Sequence, residues 1–237
     1  MSRLRLGALL MVAVLVTGCA LVPVFGSGKV VTRTESIEGF DSLIVEDGFH
    51  VKVSQGESYS VVICISEGLV KRLRVSKEGS ALRIALAPGA MVNAEKVTLE
   101  VDVRMPELCS LGMSGGSHAD LDHCAVKSLD ATLSGGCHLS GEIETGDAMF
   151  GLTGGSHVTL SGTAGNVTVK AAGGSHAKLG SLKAHDAVVE ATGGGHATVH
   201  PSGRLDVTAK GGSHVKYVGS PVLGTVASDG SSSIRKR

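Results

Sequence analysis

The chain has 237 residues, of which 34 are glycine, none is tryptophan and only six are phenylalanine or tyrosine. That length suffices for a continuous core, and the composition requires the core to be built from Val, Leu, Ile and Ala. Lysine plus arginine and aspartate plus glutamate number 22 each, and the one basic run is Arg235-Lys236-Arg237, so nothing points to a phosphate backbone and no nucleic-acid partner is expected.

At the N-terminus, Met1-Ser2-Arg3-Leu4-Arg5 precedes an apolar run from Leu6 to Val16 and then Thr17-Gly18-Cys19-Ala20. Two arginines, a short apolar stretch and small residues before a cleavage point have the layout of a secretory signal, too short for a comfortable membrane span. The VTGC ending resembles a bacterial lipobox. That resemblance implies removal of residues 1–18 and lipidation of Cys19; an ordinary signal peptide with a chance cysteine is the alternative. The expected partner is then a membrane, reached through an N-terminal lipid anchor. Ala20 is not the aspartate that often retains such proteins at the inner membrane, so the expected address is the cell envelope, at the outer membrane if the organism has one. Cleavage removes two bases and no acid, leaving 20 minus 22, or −2. Residues 19–36 read as the lipidated cysteine and a flexible tether rich in Gly, Ser and Thr.

The folded domain is expected over residues 37–234. Its first part, 37–107, reads as short strands at Ser42–Val45, His50–Val53, Ser60–Ile65, Ala81–Leu86 and Lys96–Val103, on period-two alternation and intervening turn signals. Only Glu67 to Leu73 has the makings of a helical turn.

From Leu108 a repeat takes over. Two glycines, a small residue and a histidine recur six times, ending at His118, His138, His157, His176, His196 and His214, with spacings of 20, 19, 19, 20 and 18 residues. A weaker copy places Ser233 nineteen residues beyond His214, and Asp47-Gly48-Phe49-His50 is an echo at the start of the domain. After each histidine the first and third residues are mostly apolar and the second polar, which puts the histidine outward and its neighbours inward. A second strand in each repeat, such as Leu129–Leu133 or Val167–Ala171, has the same alternation. One such unit cannot bury its apolar face, whereas a stack of them makes a continuous core. The glycine pair supplies the positive φ of a sharp corner. The expected fold is all-β: a parallel β-solenoid of six to seven rungs over 108–234, preceded by the short-strand segment, with 235–237 as a basic tail.

Gly39-Phe40-Asp41-Ser42-Leu43, the stretch from Val45 to Gly56, the strand ending at Val103-Arg104-Met105-Pro106 and the serine-glycine array together resemble the auto-transporter adhesin head GIN domain family. The resemblance covers about residues 37–234 and implies a right-handed parallel β-helix in a secreted or lipid-anchored bacterial protein, with no established enzymatic activity. Histidine after the glycines departs from the small or acidic residue expected of the family, which therefore says nothing of what the histidines do.

Equivalent residues on adjacent rungs lie about 4.8 Å apart, so the six histidines should form an outward column about 24 Å long. Three readings are open: a corner residue copied by duplication, a surface taking zinc, copper or nickel through His118, His138, His157, His176, His196 and His214, and a face that acidification charges. No cofactor is otherwise required. His123, His185 and His200 fall off the column. Outward positions show no carboxylate pair for glycoside hydrolysis, and the glycine corners lead into strands instead of helix N-termini, so no enzyme is expected. The function expected is a non-catalytic structural or adhesive module, with an envelope protein or glycan as partner. Cys64, Cys109, Cys124 and Cys137 permit three disulfide pairings or stand as buried thiols.

Overall fold

Alternation at period two becomes strand almost wherever it occurs in the sequence. The computed structural model describes residues 28–89 and 97–237; the signal segment, Cys19 and Lys96 lie outside the described residues. The first eight strands are Val30–Glu35 (β1), Ser42–Val45 (β2), His50–Gln55 (β3), Ser60–Ser66 (β4), Leu73–Glu78 (β5), Ala81–Leu86 (β6), Leu99–Met105 (β7) and Ser110–Met113 (β8), with a 3-10 turn at Glu67–Arg72. Four long strands follow, His118–Leu133 (β9), His138–Leu152 (β10), His157–Ala172 (β11) and His176–Thr192 (β12). Five shorter ones close the chain: His196–Pro201 (β13), Arg204–Ala209 (β14), His214–Tyr217 (β15), Val222–Ser228 (β16) and Ser233–Lys236 (β17).

These strands form a parallel β-solenoid of about 7 turns. Register is strict: each motif histidine pairs with the next, from His118 with His138 through to His196 with His214. Each rung has three faces, where the sequence pattern shows two strands. In β10 the inward residues are Leu139 on the first face, Ile143 on the second and Ala148, Phe150 and Leu152 on the third. The second face is a segment too short to display a period of two, which is why alternation alone does not reveal it. At the position of Ile143 the next rung has Gly162, φ +111°, packed so close that a Cβ would lie 2.0 Å from the Ile143 carbonyl oxygen.

The segment before the repeats is part of the same stack and does not stand in front of it. β2 pairs parallel with β8 on one side and β6 on the other, and β3 lies between β9 and β7 in the same way. Outside β6 and β7 the pairing turns antiparallel, with β5 on β6, β4 on β7 and β1 on β4. Antiparallel strands of this kind close the end of a parallel stack that would otherwise expose a full edge. The expectation of a flexible tether to residue 36 is corrected here: Val30–Glu35 is a strand registered against Ser66–Val61. Its backbone satisfies the free ladder of β4, a partner that local composition cannot reveal, and its β-branched residues suit the extended conformation. One core runs the length of the stack, from Phe40 and Phe49 through Phe150 to Val215.

Candidate functional site

The corner that precedes each histidine is built by three residues. Both glycines have positive φ, +63° and +77° at Gly154 and Gly155, in the region that side chains reach at a cost. In four of the six corners the next residue is a fully buried serine whose hydroxyl donates back to the carbonyl three residues earlier: Ser117 to Ser114 at 2.8 Å, Ser156 to Thr153 at 2.8 Å, Ser175 to Ala172 at 2.6 Å and Ser213 to Lys210 at 2.6 Å; before His196 the position is Gly195. Cys137 does the same through its thiol, 3.1 Å from the Ser134 oxygen. The repeated serine is therefore a closure inside the turn, and the histidine beside it faces out.

Each histidine N–H donates to the preceding rung, as His138 does to the Ser117 carbonyl at 3.0 Å and His176 to the Ser156 carbonyl at 2.9 Å. Strand register then stacks the rings. Centroids are 4.7 Å apart for His118 and His138, 4.8 Å for His138 and His157, 4.8 Å for His157 and His176 and 4.6 Å for His176 and His196, with planes within 15° of parallel. His214 tilts by 42° from His196, and its Nδ1 is 2.8 Å from the Ser233 hydroxyl.

The column has a seventh member that the sequence signalled only as an echo. His50 pairs in register with His118, their rings 5.9 Å apart. In its corner Asp47 (φ +60°) and Gly48 replace the two glycines, and the Asp47 carboxylate accepts the Leu86 N–H at 2.8 Å. Aspartate is among the few side chains that tolerate this backbone region. Nε2 of His50 is 2.7 Å from the Asp120 carboxylate, whose other oxygen accepts the Ser140 hydroxyl. The bonds from Ser140 and His50 hold the Asp120 carboxyl below its usual range. Desolvation, and then the neighbouring imidazoles, depress the pKa of His118, His176 and His196.

Among the described residues, no three His, Cys, Asp or Glu side chains are grouped to hold a metal ion. Nδ1 of His157 is buried without a hydrogen-bond partner. Off the column, His123 lies 3.6 Å from Glu142, His185 lies 3.1 Å from Asp186, and His200 approaches the Gly180 carbonyl at 3.1 Å. The four cysteines of the described residues are free thiols, and burial pushes the Cys124 thiol up to about 11. Two residues beyond the histidines, a second outward column lines a groove of about 660 Å³ that crosses the rungs from Ser140 to Arg237.

A family model described as "Putative auto-transporter adhesin, head GIN domain" matches residues 39–221. Among solved structures, a putative adhesin from Bacteroides fragilis is 19% identical, with a TM-score of 0.78, over 90% of this chain and 99% of its own. A putative adhesin from Parabacteroides merdae is 18% identical, with a TM-score of 0.66, over 90% and 98%. A putative lipid binding protein from Parabacteroides distasonis is 17% identical, with a TM-score of 0.67, again over 90% and 98%. At these identities the likeness is one of fold. No curated protein matches the chain.

Proposed function

The chain belongs to the auto-transporter adhesin head GIN domain family, and from that premise we propose that it is a cell-envelope lipoprotein whose solenoid acts as a non-catalytic adhesive module. The observation that carries this reading is the seven-histidine column: one side chain repeated on successive rungs along the stack. A surface of that kind suits an extended, repetitive partner, because each added rung repeats the same contacts and the gains accumulate as in multivalent binding. The relatives named as adhesins support the same reading. Anchorage through Cys19, at the outer membrane where the organism has one, puts the face outside the cytoplasm.

Adherence of cells displaying the full chain to a panel of immobilised glycans tests it, against cells displaying a variant with all seven column histidines changed to serine. Retention lost in the variant supports the reading, and equal retention of displaying and non-displaying cells removes it. Cys19→Ala should move the protein from the membrane fraction to the soluble fraction if the anchor is as proposed.

Metal capture is a second reading, favoured by the unpartnered Nδ1 of His157 within the stack. Two imidazoles and water would hold zinc, copper or nickel after the rings rotate out of their stack. Calorimetric titration of Zn²⁺, Cu²⁺ and Ni²⁺ decides it: saturable heats lost in the serine variant support capture, and identical heats sink it.

A further inference from the structure

Outward residues two positions beyond the histidines are neighbours in register, running Ser140, Thr159, Lys178, Thr198, Lys216 and Arg235 on successive rungs. They stand beside the histidine column at about 6.7 Å, the advance of two residues along a strand. The first five line the groove, whose floor is kept low by Gly141 and Gly180 at the corner between the first and second faces. A Cβ at Gly141 would lie 2.1 Å from the Leu121 carbonyl oxygen, so this rung carries no side chain there, while Leu121 and Leu160, in register on either side, turn theirs into the core.

The chemistry of the groove is one-sided. Its lining includes Lys178, Lys216 and Arg237, five hydroxyl-bearing residues and no acidic side chain. Among the described residues none of Lys178, Lys216, Arg235 and Arg237 lies in an ion pair. Lys178 and Lys216 are two rungs apart, about 9.6 Å, a separation comparable to the disaccharide repeat of an extended glycan, with the Thr198 hydroxyl between them. Unpaired cations set at intervals among hydroxyl groups match sugars that carry acid groups at intervals among alcohols. The lining contains no aromatic ring on which nucleic-acid bases would stack. Exposed large apolar residues lie elsewhere, at Val30, Met149 and Val188 and on the last rung, so this face has nothing to insert into a lipid surface.

We propose that this groove binds an acidic polysaccharide, its carboxylate or sulfate groups on Lys178 and Lys216 and its hydroxyls on Thr198 between them and on the other serines and threonines of the groove. The proposal rests on the adhesive reading and names the class of partner for it. The opposite end of the column is acidic, with Asp120 and Asp102 flanking Lys52 in register, so the bound chain is drawn toward the Lys216 end.

The test is binding of the full chain, purified in detergent, to immobilised polygalacturonate, dextran sulfate and neutral dextran, with double-stranded DNA and anionic phosphatidylglycerol vesicles alongside. Two variants go with it: K178S/K216S, which copies hydroxyl residues of adjacent rungs, and K170S/K183S, which removes two exposed lysines from the other faces. The expected result is saturable, salt-sensitive binding to at least one acidic polymer and none to dextran. Binding should weaken about tenfold or more in K178S/K216S and stay unchanged in K170S/K183S, with both variants folded by circular dichroism. Carboxylate and sulfate are told apart by which polymer binds. Equal binding by wild type and K178S/K216S overturns the proposal, as does binding to neither acidic polymer or equally tight, lysine-dependent binding to DNA or vesicles. Retention on neutral dextran by all three proteins sinks the acidic-glycan assignment while leaving the adhesive reading standing. Failure of displaying cells to adhere to any glycan removes both.

Discussion

His118 and His138, twenty residues apart in sequence, lie face to face with centroids 4.7 Å apart and planes 3° from parallel. The contact follows from the register of β9 and β10 and brings together two rings that repel each other once both are protonated.

That geometry sets the acid response. His118, His176 and His196 have depressed pKa values in the folded protein, through desolvation and then through neighbouring imidazoles. Between the folded values and the ordinary value of about 6.5, the unfolded chain binds more protons, so stability rises with pH across that window. The contribution is complete above about pH 6.5 and is lost as pH falls toward the folded values. Thermal unfolding should therefore show a lower Tm at pH 5 than at pH 7.5, and changing these three histidines to serine should flatten the difference. An unchanged pH profile in the triple variant would refute the contribution.

Loss of a turn hydroxyl should be felt where the histidine beside it is not. Ser175→Ala removes a buried donor 2.6 Å from the Ala172 oxygen and should destabilise by about 1–2 kcal/mol. Cys137→Ser introduces the hydroxyl used by four other rungs and should leave stability nearly unchanged. Urea unfolding of the two variants separates them.

The two kinds of glycine predict different outcomes. Gly155 has φ +77° with nothing within 4 Å of an added Cβ, so Gly155→Ala should cost only the backbone term, about 1–2 kcal/mol. Gly162→Ala places a methyl 2.0 Å from the Ile143 oxygen and should disrupt the β10–β11 pairing outright. Circular dichroism and soluble yield are the readouts, and a well-folded Gly162→Ala protein would contradict the close approach of the two rungs at Gly162.

At the far end of the stack, β16 is exposed at every position. It is held by Asp206, which accepts the Thr225 N–H at 2.6 Å while its second oxygen takes the Arg204 Nε–H at 2.6 Å. These bonds bring the Asp206 carboxyl down to about 2. Hydrogen exchange should be faster in β16 than in β10–β12, and Asp206→Ala should accelerate it in residues 222–228 alone. Acceleration spread over the whole solenoid would show that the last rung does not open independently.

Much of this molecule is local and periodic, and local periodicity can be read from a sequence. The alternation after each histidine, the near-constant spacing and the glycine pairs determined the solenoid, the outward direction of the six motif histidines and the inward direction of residues such as Val158 and Leu160, because a strand has only two faces and a glycine pair marks a corner. The second face of each rung was not legible, since three residues cannot display a period of two. Ser156 and its equivalents were legible as repeats beside an outward histidine, although their role was not: nothing local shows that the hydroxyl closes the turn on the carbonyl three residues earlier.

Placement across long separations was decided only by the tertiary structure. β1 joins β4, β3 inserts between β7 and β9, and His50 takes its place in the column through backbone pairings that span up to about seventy residues. The same pairings align Lys178 and Lys216 over the glycine corners to form the groove. Hydrogen bonds between strands depend on which edges meet, and edges meet according to how the whole chain stacks, whereas the direction a side chain takes from its own strand is determined residue by residue.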